Sequence, residues 1–298
     1  MNAIELKVNA KINLSLNLMS HTSNGYHCLD SVMVSANIAD TVAVSRRNDK
    51  EITVRMFGAD GAAVPIENKY NSAYRAACAL TGGFNLGGLD IAVQKGIPLA
   101  AGLGGSSADA AGVIAAVSKL FNIDIKSSSA YIVAFKSGSD VPFMLDGGFA
   151  RVTGRGEKVE SLAADTVLHM VVGKGKSGCA TKAAYDKFDQ LNRWRRGDSA
   201  AMVKALKDGN VAEIAKLLHN DLQTPSISVC PEIKTTLDIL QKSRPAPLNC
   251  IMSGSGSACF GLYRTAAEAE AAAESIKDKL DFVQACASAP QSIIFAAP

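Results

Sequence analysis

The chain has 298 residues, of which 48% are hydrophobic and 20% are charged, a composition typical of a globular protein with a substantial buried core. Its length favours two domains of ordinary size. The net charge of +3 is too small to indicate a nucleic-acid-binding surface, and the tight basic cluster at 193–196 is more typical of a solvated loop.

Seven cysteines and four histidines are spread along the chain without the spacing of a metal site or a disulfide framework. An odd number of scattered cysteines predicts reduced thiols, as in cytosolic proteins. The charged residues Glu5, Lys7 and Lys11 argue against a signal peptide, and the longest apolar runs are too short to span a membrane. We therefore expect a cytoplasmic protein without nucleic-acid or membrane partners, either a monomer or a weak homodimer.

The first predicted element is a strand at residues 4–18, where apolar and polar residues alternate. Apolar residues at positions 12, 14, 16 and 18 share one face, and this period of two predicts a half-buried strand. Lys11 and Asn13 lie together on its polar face. Further strands are predicted at 32–38, 41–45 and 52–57, followed by a helix at 68–80 and a strand at 89–94.

The next stretch, Pro98–Ala111, is rich in glycine. Gly102, Gly104 and Gly105 allow a ligand to approach the backbone closely, and an apolar helix is predicted at 108–120. Residues 106 and 107 are serines at the start of that helix, where unpaired N–H groups and a partial positive charge bind anions. A serine-capped turn without a ligand is the alternative and, for a single loop of this kind, the commoner one.

A helix is predicted at 127–136 and a hairpin at 149–162. Between them Ser139–Pro142 is predicted to be a loop, because proline disfavours the helical conformation at the residue before it. Asp140 lies in this loop. Most aspartates in such a position only turn or cap the backbone, and the alternative is a functional carboxylate.

The pattern changes near residue 160, after which helices dominate. They are predicted at 181–190, 198–207, 211–222 and 231–242, after a strand at 167–172. A second glycine loop, Ser253–Ser257, lies between strands at 248–252 and 259–263, and a helix at 265–280 and a strand at 282–287 follow. This order indicates a split β-α-β unit and therefore a second α+β domain.

A third glycine-rich segment, Gly173–Gly178, matches G-x-G-x-x-G between a strand and a helix. A dinucleotide-binding fold would need a second strand ending in an acidic residue about 20 residues later, where the chain instead has a polar stretch at 191–198. A nicotinamide oxidoreductase is therefore the least favoured interpretation. Lys174 and Lys176 remain candidates for contact with an anionic ligand. No stretch matches the P-loop pattern G-x4-G-K-[ST].

Three motifs together resemble the GHMP kinase superfamily: the strand Ala10–Leu14, the loop Pro98–Ala111 and the loop Ser253–Ser257. More specific features occur in the order of one branch of that superfamily: Lys11, Gly25–His27, Gly138–Phe143 and Gly154–Glu157. The features run from residue 10 to residue 263, so the resemblance covers nearly the whole chain.

The resemblance implies an α+β, two-domain GHMP kinase fold. An N-terminal α/β nucleotide-binding domain would occupy residues 1–160 and a C-terminal ferredoxin-like α+β domain residues 161–298. The branch with the specific features uses ATP and Mg²⁺ to phosphorylate the 2-hydroxyl of 4-diphosphocytidyl-2-C-methyl-D-erythritol, in the non-mevalonate isoprenoid pathway. Two alternatives remain: a homoserine- or mevalonate-type kinase, which would not need Tyr26 and His27 to read a base, and a non-catalytic sensor, which would not need Lys11 and Asp140.

The resemblance also implies roles for individual residues. Asp140 would be the general base and Lys11 the cation beside it. ATP would be bound by Asn68, Lys95, Pro98, Leu99, Ala100, Ala101, Gly102, Leu103, Gly104, Gly105, Ser106, Ser107, Ala108, Gly254, Ser255 and Gly256. The acceptor substrate would be bound by Asn13, Tyr26, His27, Asp140, Thr181 and Tyr185. Ser106 is the candidate Mg²⁺ ligand.

Overall fold

The computed structural model of the protein describes residues 2–21, 27–125, 127–191 and 196–297. The predicted site residue Tyr26 and most of the basic cluster at 193–196 lie outside the described residues.

Two long antiparallel strands, β1 (Ala3–His21) and β2 (His27–Arg46), form the centre of the N-terminal half. The sheet continues with β3 (Ile52–Phe57), β4 (Leu89–Gln94), β5 (Phe149–Gly154) and β6 (Lys158–Ser161). β4 and β5 pair with different parts of β2, β3 runs parallel to β4, and β6 completes a hairpin with β5. The two long strands therefore connect all the others in this half.

One helix lies at the centre of the layer that covers this sheet. The helices are α1 (Ser72–Phe84), α2 (Gly105–Phe121), α3 (Ser128–Ser137) and α4 (Val141–Asp146). α2 packs directly on β1 and β2, with α1 and α4 beside it. A side chain at Gly112 would come within 2.7 Å of Val42 and 3.0 Å of Val8, so glycine permits this close packing. α2 is consequently buried along most of its length.

The C-terminal half contains a second sheet joined to the first. The strands of this half are β7 (His169–Lys174), β8 (His219–Asn220), β9 (Asn249–Met252), β10 (Cys259–Tyr263), β11 (Phe282–Ala289) and β12 (Ile293–Phe295). Its helices are α5 (Thr181–Leu191), α6 (Ser199–Lys207), α7 (Val211–Leu217), α8 (Gln223–Val229), α9 (Glu232–Gln241) and α10 (Ala266–Ile276). The strand order is β9-β10-β7-β11, and the end of β11 pairs with β2, which makes the sheet continuous between the halves. β8 and β12 both pair with β1.

Most of the predicted elements are confirmed, but the predicted half-burial of β1 is wrong. Its polar residues at positions 11, 13, 15 and 17 are no more than 4% exposed. The C-terminal half covers this face: the Asn13 backbone N–H donates to Ser253 Oγ at 3.3 Å, and the Asn17 amide nitrogen donates to Ser199 Oγ at 2.9 Å. A polar face that sequence reasoning assigns to solvent is therefore an interface between the two halves.

The loop predicted at 139–142 is confirmed for Ser139 and Asp140, which form a turn, but is wrong for Val141 and Pro142, which begin α4. Proline is tolerated there because the first N–H groups of a helix have no partner within the helix. The strands predicted at 32–38 and 41–45 are one strand, and the helix predicted at 68–80 spans 72–84 after a short 3-10 turn. The helix predicted at 211–222 ends at Leu217, because residues 219–220 pair with β1 instead. Sequence reasoning missed α8 and β12.

The chain passes from the first half to the second after β6, and the domain boundary near residue 160 stays a proposal. No helix within the described ranges is long and apolar enough to cross a membrane.

Candidate active site

A cavity of about 800 Å³ lies between the two halves of the molecule. Its wall is formed by β1, the loop at 98–107, the second glycine loop at 254–256 and the start of α5. The three motifs that resemble the GHMP kinases, far apart in sequence, therefore meet at one cavity.

The two glycine loops are in direct backbone contact. The Ala258 N–H donates to Ala101 O at 3.0 Å, and the Lys11 N–H donates to Leu103 O at 3.0 Å. Gly102 has a φ of +74°, and a side chain there would overlap Ser253 O and come within 2.8 Å of the Gly256 nitrogen. Only glycine lets the loops approach this closely.

The first loop leads directly into the N-terminus of α2, which begins at Gly105, three residues before the predicted start. The first hydrogen bond within the helix is donated by Ala108 to Gly104 O, so the N–H groups of residues 105–107 precede it. Ser106 is exposed and Ser107 half-buried, and both line the cavity. These N–H groups and the positive end of the helix dipole form an anion site.

Lys11 and Asp140 meet beside this helix terminus. Lys11 Nζ lies 3.6 Å from Asp140 Oδ2, and it donates to Asn13 Oδ1 at 2.6 Å. Asn13 in turn donates to Ser31 Oγ at 2.9 Å, which fixes its orientation. The Asp140 side chain accepts no capping bond from α4 and is 28% exposed, whereas the Lys11 side chain is 5% exposed. The carboxylate thus faces the cavity, with an ammonium group behind it.

Lys95, the second predicted lysine, has a different environment. Its ammonium group is buried and pairs with Asp40 and with Asp109, the latter at 2.9 Å. Burial opposes the charge of Lys95, but Asp109 and Asp40 outweigh it and raise the pKa of the lysine. Burial raises the pKa of Asp109 to about 7, against the opposing charge of Lys95. The three side chains form a buried ionic cluster between β2, β4 and α2.

His27 and Tyr185 form an aromatic part of the cavity wall, with ring centroids 5.2 Å apart. His27 Nε2 lies 3.1 Å from Asp189 Oδ1, and its ring meets Phe188 edge-on at 5.8 Å. Burial, with a contribution from the Asp140 charge, raises the pKa of the Tyr185 hydroxyl. The hydroxyls of Thr181 and Ser255, which also line the cavity, are 2.8 Å apart.

The structure brings most of the predicted residues together, with five exceptions. Leu103 and Ala108 are buried behind the loop, and Asn68 is an exposed residue of the 3-10 turn outside the cavity wall. Lys174 is buried and donates to Gly175 O at 2.9 Å, so the expectation that it contacts a ligand is wrong. Lys176 is exposed and lies outside the cavity wall.

Sequence reasoning missed other residues of the wall. Met56, Ile66 and Tyr70 are not among the predicted residues, and they form an apolar group in the wall with the predicted residue Leu99 of the first glycine loop. Tyr70 and Leu99 are 69% and 52% exposed, so this group presents apolar surface to solvent. Arg155, which was noted only as part of a motif, also lines the cavity. No local pattern identifies the apolar group, because its members come from β3, two loops and the 3-10 turn.

A protein cage for a metal is absent from the described ranges, since their histidine, cysteine and acidic side chains form no group of three that could hold a metal ion. Ser106 presents an exposed hydroxyl in the first turn of α2. This arrangement fits Mg²⁺, which takes few protein ligands and keeps waters and phosphate oxygens for the rest.

Models of the GHMP kinases N terminal domain and the GHMP kinases C terminal region match residues 70–148 and 202–281. The chain is 34% identical over 273 residues to a 4-diphosphocytidyl-2-C-methyl-D-erythritol kinase of Caldicellulosiruptor saccharolyticus, covering 91% of this chain and 92% of that protein. A crystal structure of 4-(cytidine 5'-diphospho)-2C-methyl-D-erythritol kinase superposes with a TM-score of 0.78 at 28% identity, over 95% of this chain and 98% of the other. A homoserine kinase from Cytophaga hutchinsonii superposes with a TM-score of 0.71 over 99% of this chain and 98% of the other, but at 16% identity this likeness shows the fold alone.

Proposed function

The chain belongs to the GHMP kinase family and is an ATP-dependent small-molecule kinase, and from this membership we propose its acceptor and mechanism. The acceptor is 4-diphosphocytidyl-2-C-methyl-D-erythritol, phosphorylated on its 2-hydroxyl. The relatives of that name support this choice over about nine-tenths of the chain. The observation that carries the mechanism is the Lys11–Asp140 pair, 3.6 Å apart where the two glycine loops meet.

The triphosphate of ATP would lie on the N-terminus of α2. Most of the charge in phosphoryl transfer is on the transferred group, so positioning and electrostatics supply most of the catalysis. The N–H groups of residues 105–107 would bind phosphate oxygens, and Gly254–Gly256 would close over them from the other half. The adenine would pack on the apolar group of Met56, Ile66, Tyr70 and Leu99. Lys95 would hold the start of α2 in place through Asp109.

Asp140 would accept the proton of the attacking hydroxyl as general base. Lys11 would stabilise the developing negative charge on the alkoxide. Because Lys11 is buried and held by Asn13, its charge acts in a poorly solvated site, where it is stronger than in water.

The cytosine would be read by His27 and by Tyr26, with Tyr185 on the opposite wall. Stacking of a planar base on an aromatic ring contributes about 1–3 kcal/mol, enough to select for the base. Gly154 pairs with Leu29 between β2 and β5, two residues beyond His27. Gly156 lies against Ser139, the residue before Asp140. Arg155 therefore lies between the base-reading end and Asp140, where the diphosphate of the acceptor would pass.

Mg²⁺ would be held by Ser106, phosphate oxygens and water, and it would neutralise charge on the phosphates. No dedicated carboxylate is needed for this role.

The test is ADP release from ATP and Mg²⁺ with three alcohols: the cytidylyl acceptor, homoserine and mevalonate. We expect turnover with the first alone. Turnover with homoserine or mevalonate alone would contradict the acceptor and leave the kinase fold standing, whereas nucleotide binding without turnover on the panel would favour a sensor.

A further inference from the structure

The second glycine loop is held from behind by Asn220, the last residue of β8. The side-chain nitrogen of Asn220 donates to Met252 O and to Gly254 O, both at 2.8 Å. Its oxygen accepts the Leu222 N–H at 2.9 Å. The side chain is thus buried with its two donors and its acceptor in use. We propose that Asn220 is a positioning residue that aims the Ser255 N–H at the nucleotide phosphates.

The direction of the Ser255 N–H follows from the geometry of the peptide bond. In a trans peptide the C=O of one residue and the N–H of the next point in opposite directions. Because Gly254 O points at Asn220, the Ser255 N–H points away from Asn220. Gly254 lies against the catalytic side, since a side chain there would come within 2.8 Å of Lys11 Nζ. The Ser255 N–H donates to no acceptor in the part of the chain that the structure describes.

Within the loop, the N–H groups of Gly254 and Ser255 are the ones that donate to no acceptor among the described residues. The Gly256 N–H is already used by Ser253 O at 3.0 Å, within the loop. The carbonyl of Ser255 accepts Ser226 Oγ at 3.0 Å, so a second side chain from behind fixes the next peptide as well. Asn220 and Ser226 thus fix the orientation of two consecutive peptide groups of the loop.

Asn220 acts through the loop and does not touch the ligand. It is absent from the wall of the large cavity and instead lines a separate cavity of about 260 Å³, whose wall includes residues of α5, α8 and β9. The next residue, Asp221, accepts the Leu18 N–H of β1 at 2.8 Å. The same short segment therefore ties the loop to the strand that carries Lys11, so the phosphate donor and the catalytic pair keep a fixed distance.

Asparagine is the side chain that this role requires. Its nitrogen reaches two carbonyls two residues apart while its oxygen accepts an N–H. Aspartate has the same shape but loses both donors and places a negative charge against two carbonyl oxygens.

This inference rests on the proposed nucleotide site, and its test uses ADP so that the identity of the acceptor does not matter. The variants are Asn220→Ala, Asn220→Asp and Ser226→Ala. The control is Asn249→Ala, which removes a partly buried bond of the same kind, from the Asn249 amide nitrogen to Ala215 O at 2.7 Å, without contact to the loop. ADP affinity is measured by calorimetry, KM for ATP and for the acceptor by kinetics, and Tm by circular dichroism.

We expect Asn220→Ala and Asn220→Asp to weaken ADP binding and raise KM for ATP by about 10–100-fold, with KM for the acceptor within twofold. Ser226→Ala should weaken ADP binding about threefold to tenfold. The control should lower Tm but leave ADP binding unchanged.

A folded Asn220→Ala variant that binds ADP within twofold of the wild type would overturn the inference. If the Asn220 variants do not fold, unchanged ADP binding in Ser226→Ala would overturn it. Weaker ADP binding in these variants, in an enzyme that does not phosphorylate the cytidylyl acceptor, would support the inference and contradict the proposed function.

Discussion

Replacing Asp140 with asparagine tests the assignment of the general base. The change keeps the shape of the side chain and removes its ability to take a proton. Asp140 contributes no cap to α4, so the start of that helix should be unaffected. The substitution therefore tests the role of the carboxylate as a base without changing the stability of α4.

The size of the expected effect follows from the role and from the contacts of Asp140. A positioned general base contributes about 10²–10⁴-fold, which is roughly 3–5 kcal/mol in the activation free energy. We expect kcat to fall by that amount. ATP affinity should stay the same or increase, because Lys11 Nζ, 3.6 Å away, loses its carboxylate partner and becomes available to a phosphate oxygen.

The assay is steady-state ADP release together with calorimetric ADP binding, at a temperature below the Tm of each variant. Asp189→Asn is the matched control, because that carboxylate contacts His27 at 3.1 Å and lies at the acceptor end. It should change KM for the acceptor and leave kcat within a fewfold. The double variant Lys11→Met/Asp140→Asn should lose little more than the more damaging single variant, since the two groups act as a unit.

A kcat within tenfold of the wild type in Asp140→Asn would refute the assignment of the base. A parallel loss of kcat, ADP affinity and Tm would show instead that Asp140 is structural.

Three further substitutions test other parts of the site. Gly102→Ala should lower Tm and weaken ADP binding more than tenfold, because its side chain would overlap Ser253 O at a φ of +74°. Unchanged ADP binding would show that contact between the two glycine loops is not needed for nucleotide binding. His27→Ala should raise KM for the acceptor about tenfold and leave KM for ATP unchanged; unchanged acceptor selectivity would remove it from the base-reading end. Burial raises the pKa of Asp109 to about 7, above an unfolded value of about 3.9, so the native state retains a proton that the unfolded state releases. The free energy of unfolding should therefore fall as pH rises from about 4 to about 7, and Asp109→Asn should reduce that slope in urea titrations at pH 5 and pH 8.

The parts of the site that sequence predicts are those whose chemistry is local. A glycine loop followed by an apolar helix specifies an anion site within about ten residues, and the alternation around Lys11 specifies that Lys11 and Asn13 share a face. This face is buried because β1 pairs with β8 and because the C-terminal half covers it. The sequence around residue 11 predicts neither of these long-range contacts. The strand was correctly predicted, but its environment was not.

The role of Asn220 is even harder to predict from local sequence patterns than the burial of β1. In sequence it is a polar residue inside a predicted helix, with nothing to connect it to a glycine loop more than 30 residues later. Its role depends on the two-residue strand β8, which forms only because β1 offers a partner. Pairing with a distant strand overrides local helical propensity, and local sequence patterns do not predict such pairing.

Lys11 and Lys95 both line the cavity, and their partners give them different roles. Lys95 is held by two carboxylates, from residues 55 and 14 positions away, so its charge is more than neutralised inside the protein. Among the residues that the structure describes, Lys11 has one carboxylate partner, at 3.6 Å, which is longer than a hydrogen bond, and it donates to the neutral amide of Asn13. A phosphoryl oxygen or a developing alkoxide can therefore bind Lys11 without displacing a strong ion pair, whereas binding to Lys95 would require breaking one in the interior. Lys11, whose charge is less compensated by protein carboxylates, is the lysine that can interact with the reacting groups. We therefore assign catalysis to Lys11 and the positioning of α2 to Lys95.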